Sequence, residues 1–205
     1  MTGSDGVDEK KRATLRRFAA VGAATPLAGI AGTAEGADGE SDVRNAILGY
    51  LSTTPGAHFS KVRDDLQLGT GETQHHLRRL EAAGAVERYR DGDYRRFVPA
   101  GRFDAFERRA LGYLRRETPR GMLVELLREP GATGSALAER IDVSRSTLSK
   151  HARDLEAAEL LSREDGYAVE RPETLLTLVV RYADSFGPEA IALANDADDL
   201  LRYDP

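Results

Sequence analysis

The chain repeats itself at an offset of 75 residues without a gap, and this repeat limits the possible folds more than any other feature of the sequence. Pro55-Gly56-Ala57 recurs as Pro130-Gly131-Ala132, and Leu80-Glu81-Ala82-Ala83 recurs as Leu155-Glu156-Ala157-Ala158. Further pairs are Leu48/Leu123, Leu51/Leu126, Ser60/Ser135, Val62/Leu137, Leu66/Ile141, Leu68/Val143, Arg78/Arg153 and Arg88/Arg163. Because the matches span a whole structural unit, they predict two copies of one small domain.

Each copy is predicted to contain three helices. In the first copy, the first helix is indicated by apolar residues on one helical face, at Val43, Ala46, Ile47, Tyr50 and Leu51. Ser60 and Thr70 are placed to cap the second and third helices, and Gly84 is placed to end the third. Their inward-facing residues are predicted to be Val62, Leu66, Leu77 and Leu80. The third helix is therefore expected at about 70–83, and its counterpart at about 145–158.

A β-hairpin is predicted after the third helix of each copy. Residues typical of strands flank Asp91-Gly92, and this pair favours a two-residue turn because both positions need positive φ. The corresponding segment around Asp165-Gly166 is shorter and acidic. Three helices followed by a hairpin is the order of a winged helix-turn-helix domain. The predicted fold class is thus mainly α with small β-hairpin wings (α+β), as two winged helix-turn-helix domains in tandem.

The same patterns divide the chain into five predicted segments. These are an N-terminal arm that is flexible or signal-like (1–41), a first winged-helix domain (42–100), a linker helix (101–117), a second winged-helix domain (118–171) and C-terminal helices (172–205).

Residues 142–155 resemble the turn and recognition helix of winged-helix repressors in the ArsR and MarR groups. Residues 69–80 are similar in a more divergent form, and residues 42–205 as a whole resemble tandem winged-helix regulators of haloarchaea. The resemblance implies a cytoplasmic, sequence-specific regulator of transcription that binds double-stranded DNA. We therefore expect double-stranded DNA as its partner. No Ser-His-Asp spacing, phosphate loop or paired-carboxylate motif stands out in the sequence, so we do not expect an enzyme.

The candidate DNA-binding residues lie on the two predicted recognition helices and on the first wing. A recognition helix presents residues near its N-terminus to base edges, whereas cations of a wing suit phosphates. The candidates in the first copy are Thr70, Thr73, Gln74, His75, Arg78 and Arg79 on the helix and Arg88, Arg90, Arg95 and Arg96 on the wing. Those in the second copy are Ser144, Arg145, Ser146, Thr147, Ser149, Lys150 and Arg153.

Charge and composition restrict the other function classes. The net charge of −5 argues against indiscriminate binding of nucleic acid, although it allows a local basic face. The chain has no cysteine, which excludes disulfides, thiolate metal sites and a cysteine nucleophile. His75 and His76 are adjacent on a predicted helix and would point about 100° apart, so they are poorly placed to chelate one ion. We expect no cofactor, no metal site and no catalytic residue.

Two interpretations remain open for residues 1–41. Lys10-Lys11-Arg12 and Arg16-Arg17 precede an uncharged stretch that is rich in Ala and Gly. A basic start with an apolar middle is typical of an export signal, and Arg16-Arg17-Phe18 resembles an imperfect twin-arginine motif. The alternative is an arm that packs on the first domain. An exported or membrane-tethered protein would contradict a role in regulating transcription.

The C-terminal helices also have two interpretations. Leu175, Leu176, Leu178, Val179 and Tyr182 give the first of them more apolar surface than an exposed helix needs. These residues cover the second domain, or they form a homodimer interface that lets the protein read two half-sites. At the level of function, the alternative to DNA binding is a winged-helix module for protein–protein interaction; the basic first wing favours DNA. A small-molecule effector is not identifiable from the sequence.

Overall fold

The computed structural model describes residues 5–23, 38–164 and 166–197. The chain divides after Phe103 into two compact units, 1–103 (unit 1) and 104–205 (unit 2). The described residues form eleven helices and five short strands. This confirms the predicted fold class, a mainly helical chain with small antiparallel sheets.

Unit 1 is a helical domain with a three-stranded sheet. Its elements are α1 (Asp5–Ala23), α2 (Asp38–Thr53), β1 (Ala57–His58), α3 (Phe59–Asp65), α4 (Thr70–Ala82), β2 (Val86–Asp91) and β3 (Tyr94–Pro99). The strands are antiparallel in the order β1-β3-β2, and the predicted inward residues Val62, Leu66, Leu77 and Leu80 are all buried in its core. Because these residues are buried, the opposite faces of α3 and α4 are the ones left at the protein surface.

The helix caps in unit 1 lie one or two residues before the predicted ones. The N-cap of α3 is His58 rather than Ser60, and its Nδ1 accepts a hydrogen bond from the backbone N–H of Lys61 at 3.3 Å. The N-cap of α4 is Gly69 rather than Thr70, and its N–H donates to the Glu72 carboxylate at 3.1 Å. Both predictions were wrong because the common capping hydroxyls were favoured over an imidazole and a glycine.

The hairpin of unit 1 turns one residue later than predicted. Asp91 pairs with Tyr94, so the two turn residues are Gly92 and Asp93. Gly92 has a φ of +57°, which a glycine adopts without the steric cost that a side chain would bring. The shift makes Asp91 the last residue of β2 and places it close to β3.

Unit 2 contains the second copy together with the helices that flank it. Its elements are α5 (Ala105–Leu114), α6 (Glu117–Arg128), α7 (Gly134–Arg140), α8 (Arg145–Ala157), β4 (Leu161–Ser162), β5 (Ala168–Val169), α9 (Pro172–Arg181), α10 (Ala183–Phe186) and α11 (Pro188–Asn195). β4 and β5 form the short second wing, and Asp165 of its predicted turn lies outside the described residues.

The 75-residue repeat holds at the level of the backbone. Both ends of α3 and α7, and both ends of α4 and α8, differ by 75 positions. Left-handed backbone occurs at equivalent places as well, at Gly56/Gly131, Gln67/Asp142 and Gly84/Glu159. The sequence repeat therefore reflects two copies of one fold and not a shared helix composition.

The segment predicted to be a linker helix packs within unit 2. Phe106, Leu111 and Leu114 of α5 are buried, and α5 contacts α6 and α9. Asp104 caps α5 and also accepts a hydrogen bond from Arg171 at 3.0 Å. The apolar face that suggested a connector is the face by which α5 joins the core of unit 2.

The helix α1 lies against α2 at very close range. A Cβ atom added to Gly49 would lie 1.8 Å from the carbonyl oxygen of Phe18, and one added to Gly22 would lie 2.1 Å from that of Asn45. Leu15 and Phe18 pack against the core of unit 1. The apolar stretch that suggested an export signal lies mostly outside the described residues, and no described helix is both long and apolar enough to cross a membrane.

Candidate nucleic-acid interface

The candidate surface of unit 1 is formed by one side of α4 and by the wing β2–β3. The exposed predicted residues are Thr70, Gln74, His75, Arg78 and Arg79 on α4, and Arg88, Arg90 and Arg95 on the wing. A cavity of about 470 Å³ lies between α4, the start of α3 and the wing; Gln74, Arg78, Arg88 and Arg95 are among its lining residues. The fold therefore brings Gln74, Arg78, Arg88 and Arg95 to one concave surface, whereas His75, Arg79 and Arg90 are exposed outside it.

Two predicted residues of unit 1 are buried and cannot form part of an interface. The Thr73 side chain is buried, and its hydroxyl donates to the carbonyl oxygen of Gly69 at 2.9 Å. Thr73 faces inward because it occupies the same helical face as the buried Leu77 and Leu80. We therefore correct its assignment from a base contact to a core residue.

Arg96 is the second correction. Only 2% of this residue is exposed, and its NH1 donates to the carbonyl oxygen of Gly56 at 2.9 Å. Its guanidinium carbon lies 5.3 Å from the centre of the Tyr94 ring, which in turn stacks on His58 at 5.1 Å. Because successive residues of a strand point to opposite faces, Arg95 faces solvent while Arg96 joins the wing to the start of α3.

The candidate surface of unit 2 centres on the N-terminal half of α8. Ser144 caps this helix by accepting the N–H of Thr147 at 3.1 Å, and its hydroxyl also contacts those of Ser146 and Thr147 at 2.8 and 2.9 Å. Ser144, Arg145, Ser146, Lys150 and Arg153 are exposed, whereas Thr147 and Ser149 are half-buried. A row of hydroxyls and cations therefore follows the first three turns of α8.

The cations on these surfaces differ in whether they are paired. Arg88 forms an ion pair with Glu81 at 3.4 Å, and Arg79 one with Glu40 at 3.4 Å. Six other exposed cations form no ion pair with any residue in the described part of the chain. They are Arg78, Arg90, Arg95, Arg145, Lys150 and Arg153.

Burial favours the neutral form of two histidines of unit 1, His58 and His76. Burial lowers the pKa of His76 below the usual 6.5, and the neighbouring His75 and Arg44 act in the same direction. Burial also lowers the pKa of His58, aided by Arg96 and Lys61. Within the described ranges no cluster of His, Asp and Glu has the arrangement of a metal site.

Sequence reasoning missed one contact at the start of α4. Lys11 of α1 reaches the Glu72 carboxylate at 3.3 Å, although the two residues are 61 positions apart. No local pattern indicates such a pairing, because the apolar contacts between α1 and α2 bring Lys11 to this place.

Two family models match the chain over ranges that follow one another. Residues 41–111 match the HTH_HVO_0163 N-terminal HTH domain, and residues 119–171 match the MarR family. The chain is a tandem helix-turn-helix protein. Its two domains are consistent with a winged helix-turn-helix regulator of haloarchaeal type, and they suggest a DNA-binding regulator. Both models describe regulatory DNA-binding families rather than enzymes.

Searches of curated proteins and of solved structures found no match to this tandem helix-turn-helix protein. The first matched range includes part of α5, which packs in unit 2, and the second ends at the second wing.

Proposed function

We propose that this protein binds specific sites in double-stranded DNA and regulates transcription there, with α4 and α8 as its recognition helices. The observation that carries the proposal is the set of exposed cations that form no ion pair within the described residues: Arg78, Arg90 and Arg95 in unit 1, and Arg145, Lys150 and Arg153 in unit 2. In a chain with a net charge of −5, these six cations lie on the helices and the wing that would meet DNA.

The exposed residues divide into two chemical roles. Gln74 can form a bidentate contact with adenine, and Arg145 one with guanine, because both sit within the first turns of a recognition helix. Arg95 on the wing is a point of contact for phosphates, which fix the position of the protein without reading sequence. Ser144 and Ser146 offer hydroxyls to a phosphate near the start of α8.

We further propose that the protein acts in the cytoplasm as a homodimer formed through its C-terminal helices. Val180 of α9 is 37% exposed and Ile191 of α11 is 38% exposed, so both leave apolar surface available to a partner. A cavity of about 590 Å³ next to α9 is lined by Leu127, Pro130 and Leu176 as well as Val180. A second copy would cover this surface and present two pairs of recognition helices to DNA.

The test is selection of bound sequences from a pool of random duplexes, followed by affinity measurements over a salt series. We expect an enriched motif, and an affinity for that motif that falls as salt rises. The triple variant R145Q/K150Q/R153Q should lose affinity and reduce the salt slope. The control R102Q removes an exposed charge that lies outside α4, α8 and the first wing and forms no ion pair within the described residues, and it should leave the slope unchanged.

If the wild-type protein binds no duplex at any salt concentration, the proposal is contradicted and a protein-interaction module is favoured. Binding without an enriched motif would contradict sequence specificity alone.

A further inference from the structure

From residue 10 onward the helix α1 carries a basic surface that the recognition helices do not account for, although Asp5, Asp8 and Glu9 precede it. Residues 10–23 contain five cations and no acidic residue, within a chain that is acidic overall. Four of these cations are exposed, and none of the four forms an ion pair with a residue in the ranges that the structure describes. They are Lys10, Arg12, Arg16 and Arg17.

The fifth cation shows where this helix lies. Lys11 contacts Glu72 at 3.3 Å, and Glu72 belongs to the first turn of α4. The N-terminal half of α1 is therefore beside the end of the recognition helix that would enter the major groove. Lys11 also offsets a carboxylate that would otherwise repel phosphates at that point.

The position of α1 is fixed by packing. Lys11, Leu15, Phe18 and Gly22 follow one another at helical spacing and share the face that meets α2 and α4. Phe18 contacts the Tyr50 ring edge-on at 5.3 Å between centroids, and the backbones are in contact at Gly22. The exposed cations flank this buried face, so they are held on unit 1 rather than on a free tail.

We infer that α1 is an additional phosphate-binding element, whose cations Lys10, Arg12, Arg16 and Arg17 contact the DNA backbone next to the site read by α4. This inference rests on the proposed function. An anionic membrane is the competing partner for a basic helix, but insertion into a bilayer needs a free apolar face. In α1 that face is occupied, because Leu15 and Phe18 pack against the core of unit 1.

The experiment compares the full-length wild type with R12Q/R16Q, R12K/R16K and the control R102Q, which removes an exposed charge outside α1, α4, α8 and the first wing. The probe is the duplex enriched in the selection, or random duplex if none is enriched, at about 50 and 200 mM salt. Loss of two phosphate contacts should make the disadvantage of R12Q/R16Q roughly tenfold larger at the lower salt concentration than at the higher one. R12K/R16K keeps both charges and should retain most of the wild-type salt slope, and the control should match wild type.

Because the substituted side chains are exposed, we expect each variant to fold. Thermal unfolding of each variant checks that α1 and unit 1 remain folded. If R12Q/R16Q shows the same salt slope as wild type, the role of α1 is overturned and the proposed function still stands. No binding of duplex by wild type would overturn both. Binding of wild type to vesicles of anionic lipid that R12Q/R16Q loses, with DNA binding unchanged, would identify a membrane as the partner and also overturn the inference.

Discussion

The Nε atom of Arg96 donates a hydrogen bond to Oδ2 of Asp91 at 2.5 Å, and this pair joins the two strands of the first wing. Both side chains are withdrawn from solvent, with 3% of the Arg96 side chain and 12% of that of Asp91 exposed. Removing one partner of a buried ion pair leaves the other charge uncompensated. The pair therefore stabilises the wing rather than contacting a ligand.

Arg96→Met is expected to lower the free energy of unfolding by about 3 kcal/mol or more, because it removes the buried guanidinium that both Asp91 and the Gly56 carbonyl bind. Arg95→Ala is the matched neighbour, since Arg95 is exposed and unpaired among the described residues, and it should change stability by less than about 0.5 kcal/mol. Denaturant unfolding measures both. Arg95→Ala should instead reduce the salt slope of DNA binding by about 0.9, which corresponds to one phosphate. Equal stability of the two variants would contradict this division.

Gly49→Ala is expected to separate α1 from α2. The added Cβ would meet the backbone of Phe18 at 1.8 Å, and backbone atoms on both sides cannot yield without moving a helix. Overpacking of this kind costs about 1–3 kcal/mol, and hydrogen exchange should show faster exchange in α1. Gly71→Ala is the control, because its Cβ would meet no atom within 4 Å and alanine favours a helix. Unchanged protection of α1 in Gly49→Ala would show that the close contact does not fix the helix.

Acidification should destabilise unit 1 in the range where histidine titrates. Since burial first, and then His75 and Arg44, hold the pKa of His76 below 6.5, the unfolded chain binds more protons than the folded one as the pH falls through this value. The stability that neutral His76 contributes above pH 6.5 is therefore lost as the pH falls towards the lower pKa of the folded state. The lowered pKa of His58 acts in the same direction.

The measurement is the free energy of unfolding at several pH values between about 8 and 5, a range above that in which the carboxylates titrate. His76→Gln should reduce the pH dependence, whereas His75→Gln removes an exposed histidine and should reduce it less. The Nδ1 atom of His76 is buried and has no hydrogen-bond partner in the described structure, so a charge there would have no acceptor at that atom. A His76→Gln profile as steep as that of wild type would assign the effect elsewhere.

The proposed homodimer predicts that Val180→Asp yields a monomer. The carboxylate would have to be buried at an apolar interface, which is costly without a partner. Val21→Asp is a control of nearly equal exposure, since Val21 is 38% exposed and Val180 is 37% exposed. Light scattering over a range of concentrations distinguishes the two states. A wild type that stays monomeric at every concentration would contradict the dimer, and so would dissociation by both substitutions.

Local patterns were sufficient where short-range physics determines structure. The proposed recognition helices α4 and α8 lie at Thr70–Ala82 and Arg145–Ala157, close to the predicted 70–83 and 145–158, because apolar spacing acts within a few residues, as does the stop at Gly84 after α4. The exact caps and the hairpin turn were each displaced by one or two residues. Several residues can serve at these positions, and only the completed hydrogen bonds select between them.

The sequence by itself determined that the chain contains two copies of a three-helix domain, each followed by a hairpin, since the 75-residue repeat and the apolar periodicity are properties of the chain. The tertiary structure alone decided the roles of individual charges. Arg95 and Arg96 are neighbours of the same type, but Arg96 is buried because the Gly56 carbonyl and Asp91 meet it there. Likewise, Lys11 meets Glu72 only because α1 packs on α2. Whether a cation faces solvent or a partner depends on residues that are distant in sequence and are brought together by the folded core.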